Sequence, residues 1–174
     1  MFINNNTYKI LKIFLDDSLE EFGLREISRK TKISPASVKQ HLKKLEEENL
    51  IEKIIKKDRP LFISKREDKK FISLQKLSII YELEQTGLLE FLEEKLSPKA
   101  IILYGSYAKG EAVKNSDIDI FIIGKENKIN LSIYEKKLGK QVHLLFEENP
   151  KKIPNELKNN LINGTILRGY LEII

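Results

Sequence analysis

The stretch Ile101-Ile102-Leu103-Tyr104-Gly105-Ser106-Tyr107-Ala108-Lys109-Gly110, followed by Ser116-Asp117-Ile118-Asp119-Ile120-Phe121-Ile122-Ile123, decides how the second half of this chain is read. An apolar, β-prone run breaks into a Gly-Ser turn, and a second apolar run carries aspartates on alternate positions. The pattern predicts a strand, a small-residue turn opening a helix, and a second strand. Residues i and i+2 of a strand share a face, so Asp117 and Asp119 point the same way while Ile118, Ile120 and Ile122 face a core. Two adjacent carboxylates repel, and a cation relieves the repulsion. Oxygen ligands suit a hard ion such as Mg²⁺ (or Mn²⁺), which takes one or two carboxylates together with substrate phosphates. Gly105 lets the backbone approach a bulky anion, the N–H groups of a helix starting near Ser106 point at phosphate oxygens, and Ser106 adds a hydroxyl donor.

Gly105-Ser106, ten intervening residues and then Asp117-Ile118-Asp119 resembles the signature of the polymerase-β-type nucleotidyltransferases, especially the small minimal members of archaea and bacteria. The likeness covers residues 97–146 closely. It implies that Gly105 and Ser106, with Lys109 and Ser116 nearby, hold the phosphates of a nucleoside triphosphate, and that Asp117 and Asp119 hold Mg²⁺ or Mn²⁺ while a nucleotidyl group passes to a hydroxyl. Active members place a third carboxylate on a following strand. Here that strand reads Lys140-Gln141-Val142-His143-Leu144-Leu145-Phe146, and the expected position carries His143. An imidazole accepts a proton near neutral pH or ligates a softer metal, but it brings no negative charge. Glu147 shares the face of His143 by parity and is the other candidate for the missing group.

Working outward, the N-terminal part has a different character. Tyr8, Ile10, Leu11, Ile13 and Phe14 fall at helical spacing, Leu24 to Thr31 reads as a second short helix, and Ser34-Pro35-Ala36-Ser37 opens a third. Ser34 suits the N-cap and Pro35 the first helical position, where its missing N–H costs nothing. Val38, Leu42 and Leu45 form one buried stripe, and His41 is expected to be a half-exposed helix residue. Leu50 to Lys56 and Leu61 to Ser64 read as strands around a turn at Lys57-Asp58-Arg59-Pro60. Three helices and a hairpin resemble the winged helix-turn-helix domain of transcription regulators. That resemblance implies that the third helix enters the major groove and the hairpin touches the DNA backbone, with Ser34, Ala36, Ser37, Lys39, Gln40, Lys43, Lys57 and Arg59 toward DNA. Gln40 is the best candidate for a base contact, because an amide pairs bidentately with adenine.

Charge follows the same division. Residues 1–70 hold 17 Lys/Arg against 12 Asp/Glu, a net of +5, and residues 71–174 hold 14 of each. A basic module beside a neutral one puts any nucleic acid on the first. Of the 174 residues, 41% are hydrophobic and 33% charged, which predicts a globular fold, and none is cysteine, which excludes thiolate metal sites. No apolar run approaches the roughly 20 residues of a membrane span, and Met1 to Asn6 lacks the order of a signal peptide, so no membrane contact and a cytoplasmic location are expected.

These readings predict an α+β chain: a winged helix-turn-helix over residues 1–66, linking helices over 67–96, and a mixed β-sheet flanked by helices over 97–174. Phe71, Leu74, Leu77, Ile80 or Tyr81, and Leu83 make the stripe of the first linking helix, which either packs on its own chain or pairs two copies into a homodimer. Residues 154–171 read as one or two helices interrupted at Asn163-Gly164. Some minimal nucleotidyltransferases modify a tyrosine of a HEPN-class toxin, so the resemblance adds a protein acceptor to the possible partners. Two functions remain open. One is a nucleotidyltransferase with a DNA-binding domain; the other is a DNA-binding regulator or antitoxin-like protein whose nucleotidyltransferase domain is weak or inactive because of His143.

Overall fold

The computed structural model describes residues 6–171 and divides into two compact units: residues 1–75 with 112–114, and residues 76–111 with 115–174. The first unit contains α1 (Asn6–Asp16), β1 (Phe22–Gly23), α2 (Leu24–Thr31), α3 (Pro35–Glu47), β2 (Ile51–Lys56) and β3 (Arg59–Ser64). The strands form an antiparallel sheet in the order β1-β3-β2. As the sequence predicts, Ser34 caps α3, accepting a hydrogen bond from the Ser37 N–H at 3.4 Å, and Pro35 follows at the start. Ile10, Phe14, Ile27, Val38, Leu42, Leu45 and Phe62 are buried in one core. His41 is half-buried, with Nδ1 2.8 Å from the Thr7 hydroxyl.

The wing differs from the expected four-residue turn. Lys57 and Asp58 alone make it, both at positive φ (50° and 59°), as the tight two-residue hairpin turns require. Arg59 and Pro60 belong to β3. Lys56 and Arg59 close the turn, so Pro60 falls opposite Ile55 at a site whose backbone nitrogen points away from β2, and β1 reaches only Leu61 and Phe62. The missing N–H of Pro60 therefore removes no ladder bond. Phe22 of β1, too short a strand to be predicted, packs edge-on against Phe14 with ring centroids 5.3 Å apart. The short segment 112–114 belongs to this unit, where the Ala112 carbonyl accepts hydrogen bonds from Gln75 Nε2 at 2.9 Å and Ser18 Oγ at 3.2 Å.

The helix α4 (Lys69–Thr86) begins in the first unit and ends in the second. Its buried positions are Phe71, Gln75, Ser78, Ile79 and Leu83, whereas Leu77, expected in the apolar stripe, is 61% exposed. After α5 (Leu88–Leu96) come β4 (Ala100–Tyr104), α6 (Gly105–Lys109), β5 (Ile118–Ile123), α7 (Ser132–Leu138), β6 (Val142–Glu147), a 3₁₀ turn at Pro150–Lys152, α8 (Asn155–Ile162) and β7 (Thr165–Gly169). The sheet order is β6-β5-β4-β7, with β5 and β6 parallel and the other pairs antiparallel. Its central strands are buried on both faces. Ala100, Ile102, Phe121 and Ile123 cluster with Ile153 and Leu161 on one side, and Ile101, Leu103, Ile118, Ile120 and Ile122 are fully or almost fully buried on the other.

The expectation of helix up to residue 171 is corrected here. Only Asn155–Ile162 is helical, and Thr165–Gly169 adds an antiparallel edge strand to β4. Arg168 anchors that edge. Its guanidinium donates from Nη1 and Nη2 to the two carboxylate oxygens of Glu84 at 2.7 and 2.8 Å, and from Nε to Glu93 Oε2 at 2.9 Å. The fork holds the Glu84 carboxyl below the usual carboxylate range. Replacing Arg168 with leucine is expected to lower stability by about 1–2 kcal/mol, a bidentate contact discounted for the exposure of its partners. Lysine, which lacks the planar fork, should restore only part of that loss in chemical denaturation. Among the described residues no helix is long and apolar enough to cross a membrane.

Candidate functional site

The register of the second sheet builds the site. Tyr104 on β4 lies opposite Asp119 on β5, and Asp119 lies beside His143 on β6, so three neighbouring strands present one row of polar side chains on one face. Asp117, just before β5, shares that face by parity. Tyr104 was not singled out from the sequence, although its place directly before Gly105 was the available signal.

Gly105 makes the arrangement possible. The chain turns from β4 into α6 with Gly105 at φ +71°, and a Cβ there would sit 2.2 Å from Asp119 Oδ2 and 3.1 Å from its Cγ. The Asp119 carboxylate thus occupies the space over the bare Cα, directly beside the turn. Ser106 is half-buried within α6, Lys109 is exposed at the end of that helix, and Ser116 is half-buried immediately before Asp117.

His143 stands between the two aspartates. Its Nε2 is 3.8 Å from Asp117 Oδ2 and its Nδ1 is 3.8 Å from Asp119 Oδ1. Neither separation is a hydrogen bond. The imidazole is 62% exposed, against 43% for Asp117 and 29% for Asp119. Burial, reinforced by the charge of Asp117 and opposed by that of His143, raises the Asp119 carboxyl above its usual range. Burial, and secondarily the charge of Asp119, raises the Tyr104 phenol. Glu147 does lie on β6, but it is turned to its own loop, where Oε1 accepts the Asn149 N–H at 2.9 Å, and it is four residues along the strand from His143.

Among the described residues no group of three or more His, Cys, Asp or Glu side chains is placed to hold a metal ion. Two carboxylates on one face beside the Gly105 turn are oxygen donors of the kind a hard divalent ion takes together with substrate oxygens. Asp117 and Asp119 are the residues that could hold it.

In the first unit Ser34, Ala36, Lys39, Gln40 and Lys43 are exposed along α3, Ser37 is half-exposed, and Lys57 and Arg59 are exposed at the wing. Lys43 lies 3.7 Å from Glu47, and Lys56 is engaged with Glu21 at 2.9 Å.

A mixed sheet carrying a Gly-Ser turn and an Asp-x-Asp strand defines a nucleotidyl-transferring class of domain, and a winged helix precedes it. Residues 86–167 match the family described as "Nucleotidyltransferase domain", and residues 8–53 match "Bacterial regulatory protein, arsR family". The chain belongs to the nucleotidyltransferase family and carries a helix-turn-helix of the arsR type at its N-terminal side. Two relatives come from Methanocaldococcus jannaschii. "Putative protein adenylyltransferase MJ1547" is 45% identical over 60 residues, covering 34% of this chain and 49% of that protein. "Putative protein adenylyltransferase MJ1379" is 39% identical over 67 residues, covering 34% of this chain and 67% of that protein. The matched region therefore spans about half the length of the first relative and two thirds of the second. A solved structure described as "Crystal structure of the toxin-antitoxin with AMP-PNP" is similar at 25% identity, covering 48% of this chain and 71% of that one, with a TM-score of 0.36, too low to bear on fold or function.

Proposed function

We propose that this protein is a divalent-metal-dependent nucleotidyltransferase that moves a nucleoside monophosphate from a triphosphate, ATP first among the candidates, to a hydroxyl of a protein acceptor. The observation that carries the reading is the Asp119 carboxylate seated over the bare Cα of Gly105, with Asp117 beside it. Gly105 and Ser106 receive the phosphates, Lys109 and Ser116 flank them, and Asp117 and Asp119 hold Mg²⁺ or Mn²⁺. An ion held there by Asp117 and Asp119 would supply neutralisation of the phosphate charge. In the transfer the acceptor oxygen bonds to the α-phosphorus and the bond to the bridging oxygen breaks. The two relatives, named for protein adenylyltransfer, support the choice of ATP and of a protein acceptor, and a HEPN-class toxin is the partner class we propose. The protein acts in the cytoplasm, and its linking helices over residues 67–96, with Leu77 exposed, pair two copies into a homodimer.

Calorimetric titration with ATP, GTP, CTP and UTP, each with and without Mg²⁺ or Mn²⁺, tests the nucleotide site, and transfer of label from α-³²P-ATP to a co-expressed toxin tests the chemistry. Absence of triphosphate binding to folded protein would sink the reading. A second reading has one observation in its favour, His143 in place of a third carboxylate: a DNA-binding regulator or antitoxin-like protein that binds nucleotide without turning it over. Binding without transfer selects it.

In either case we propose that Ser34, Ala36, Ser37, Lys39, Gln40, Lys43, Lys57 and Arg59 face DNA. Gln40→Ala is expected to cost about 1–3 kcal/mol on the preferred site and to relax base preference at one position. Lys39→Ala or Arg59→Ala should instead weaken all sequences alike and lower the salt slope by about one, read by fluorescence anisotropy over a salt series.

A further inference from the structure

We infer that the wing of the first unit carries an apolar wedge, Ile55 and Pro60, which enters the minor groove of bound DNA between two base pairs and bends the duplex. The inference rests on the DNA-facing reading above and goes beyond it, because that reading assigns side chains to phosphates and base edges and none to deforming the duplex. Ile55 on β2 and Pro60 on β3 are register partners, so their side chains stand side by side on one face of the ribbon. Further from the tip the same face carries the pairs Lys53–Phe62 and Ile51–Ser64, of which Ile51, Phe62 and Ser64 are buried. The core ends before the tip is reached. Ile55 is 66% exposed and Pro60 is exposed beside it, so the apolar face runs on past the core into solvent.

Charge and width decide what the pair meets. Residues 53–60 hold four Lys/Arg against one acid, Asp58. Lys53 stands on the same face as Ile55, Lys57 forms the turn and Arg59 follows it, all exposed, while the Lys56 charge is taken up by Glu21 at 2.9 Å. An apolar pair fringed by cations fits stacked bases behind a rim of phosphates. A second copy of the wing would set the same cations against one another. The tip is also narrow. Lys57 and Asp58 alone turn the chain, at φ 50° and 59°, and paired strands lie about 4.8 Å apart. That width suits the minor groove, roughly 6 Å across, while α3 takes the wider major groove. Ile and Pro are among the residues that such wedges use, and Pro60 adds a ring with a fixed backbone angle, which stiffens the tip against the bases. Unstacking is easiest at pyrimidine–purine steps, so the wing selects a TA or CA step without touching a base edge.

The test uses the full chain and a duplex of roughly 20–30 base pairs, selected by the protein from a random pool and labelled at both ends for energy transfer. A fluorescent adenine analogue placed at successive steps reports unstacking. Wild-type protein is expected to bend the duplex by about 20–90° and to brighten the analogue at one pyrimidine–purine step. Ile55→Thr keeps a β-branched side chain that suits the strand but removes the apolar wedge. It should still bind, with the bend reduced by at least about half and the preference for a pyrimidine–purine step lowered at least ~threefold. Ile55→Leu should bend the duplex as the wild type does, and circular dichroism will verify that both variants fold. Bound but straight DNA in the wild type, or equal bending by wild type and Ile55→Thr, overturns the wedge and leaves the DNA-facing reading standing. Folded protein that binds no duplex overturns both.

Discussion

Gly105→Ala will abolish metal-dependent triphosphate binding and destabilise the nucleotidyltransferase unit at the same time. Two separate costs meet at this position. The backbone is left-handed, with φ +71°, which costs a residue with a Cβ about 1–2 kcal/mol. The new methyl would also lie 2.2 Å from Asp119 Oδ2, 3.1 Å from its Cγ and 3.3 Å from its Cβ, so rotating the carboxylate oxygen away does not clear the overlap. Asp119 then has to turn its carboxylate and give by a few tenths of an ångström, or the turn into α6 has to shift, and either disturbs the juxtaposition of carboxylate and turn. Calorimetry should show no ATP binding in the presence of Mn²⁺ or Mg²⁺, and the melting temperature should fall by roughly 2–8 °C. Binding within threefold of wild type would mean that Asp119 does not act from the position it occupies beside Gly105.

The sequence made this site legible because its chemistry is compressed into one strand-turn-strand. Alternation alone puts Asp117 and Asp119 on one face, and the Gly-Ser turn before them announces a change of direction. The winged helix was equally readable where local rules govern: Ser34 and Pro35 start α3, and Val38, Leu42 and Leu45 are buried as their spacing predicts. The errors fall where pairing with distant strands decides. Ile162, Ile166 and Leu167 repeat at near-helical intervals, so the segment through Leu171 read as helix. What makes Thr165–Gly169 a strand is the open edge of β4, an element more than sixty residues away, together with the fork of Arg168 on Glu84 and Glu93. A glycine gave the available clue. Gly169 has φ +69°, and a Cβ there would lie 2.0 Å from the Lys99 carbonyl oxygen, a contact only an edge strand running against β4 would create. Pro60 misled for a similar reason: as a breaker it suggested a longer turn, but its place opposite Ile55 asks no N–H of it. The partnership of His143 with both aspartates was half visible. Its strand could be found, but only the parallel register sets it beside Asp119.

Asp119→Asn is expected to separate function from stability. Asparagine keeps the shape that fits over Gly105 and removes the charge. Even groups that only support a metal ligand typically cost 10–100-fold in affinity when removed, so loss of a ligand should weaken Mn²⁺ and Mg²⁺ binding with ATP by at least ~100-fold. The fold should respond in the opposite direction. Burial raises the Asp119 carboxyl in the folded protein; the charge of His143 opposes it in part, and that of Asp117 adds a smaller push upward. A raised carboxyl binds its proton more tightly in the folded than in the unfolded chain, so its contribution is fully present below the unfolded value of about 3.9 and is lost as pH rises through the folded value. At neutral pH the wild-type protein therefore carries an ionised Asp119 at a cost to stability, and the Asn variant does not. With chelator present, the variant should melt at or above the wild-type temperature at pH 7, and the difference should vanish toward pH 3.5, where Asp119 is protonated. A variant clearly less stable at pH 7 would reverse the sign. The Asp119 charge would then be a stabilising partner of a protonated His143, and the pair would be an ion pair of the fold instead of a site waiting for a cation.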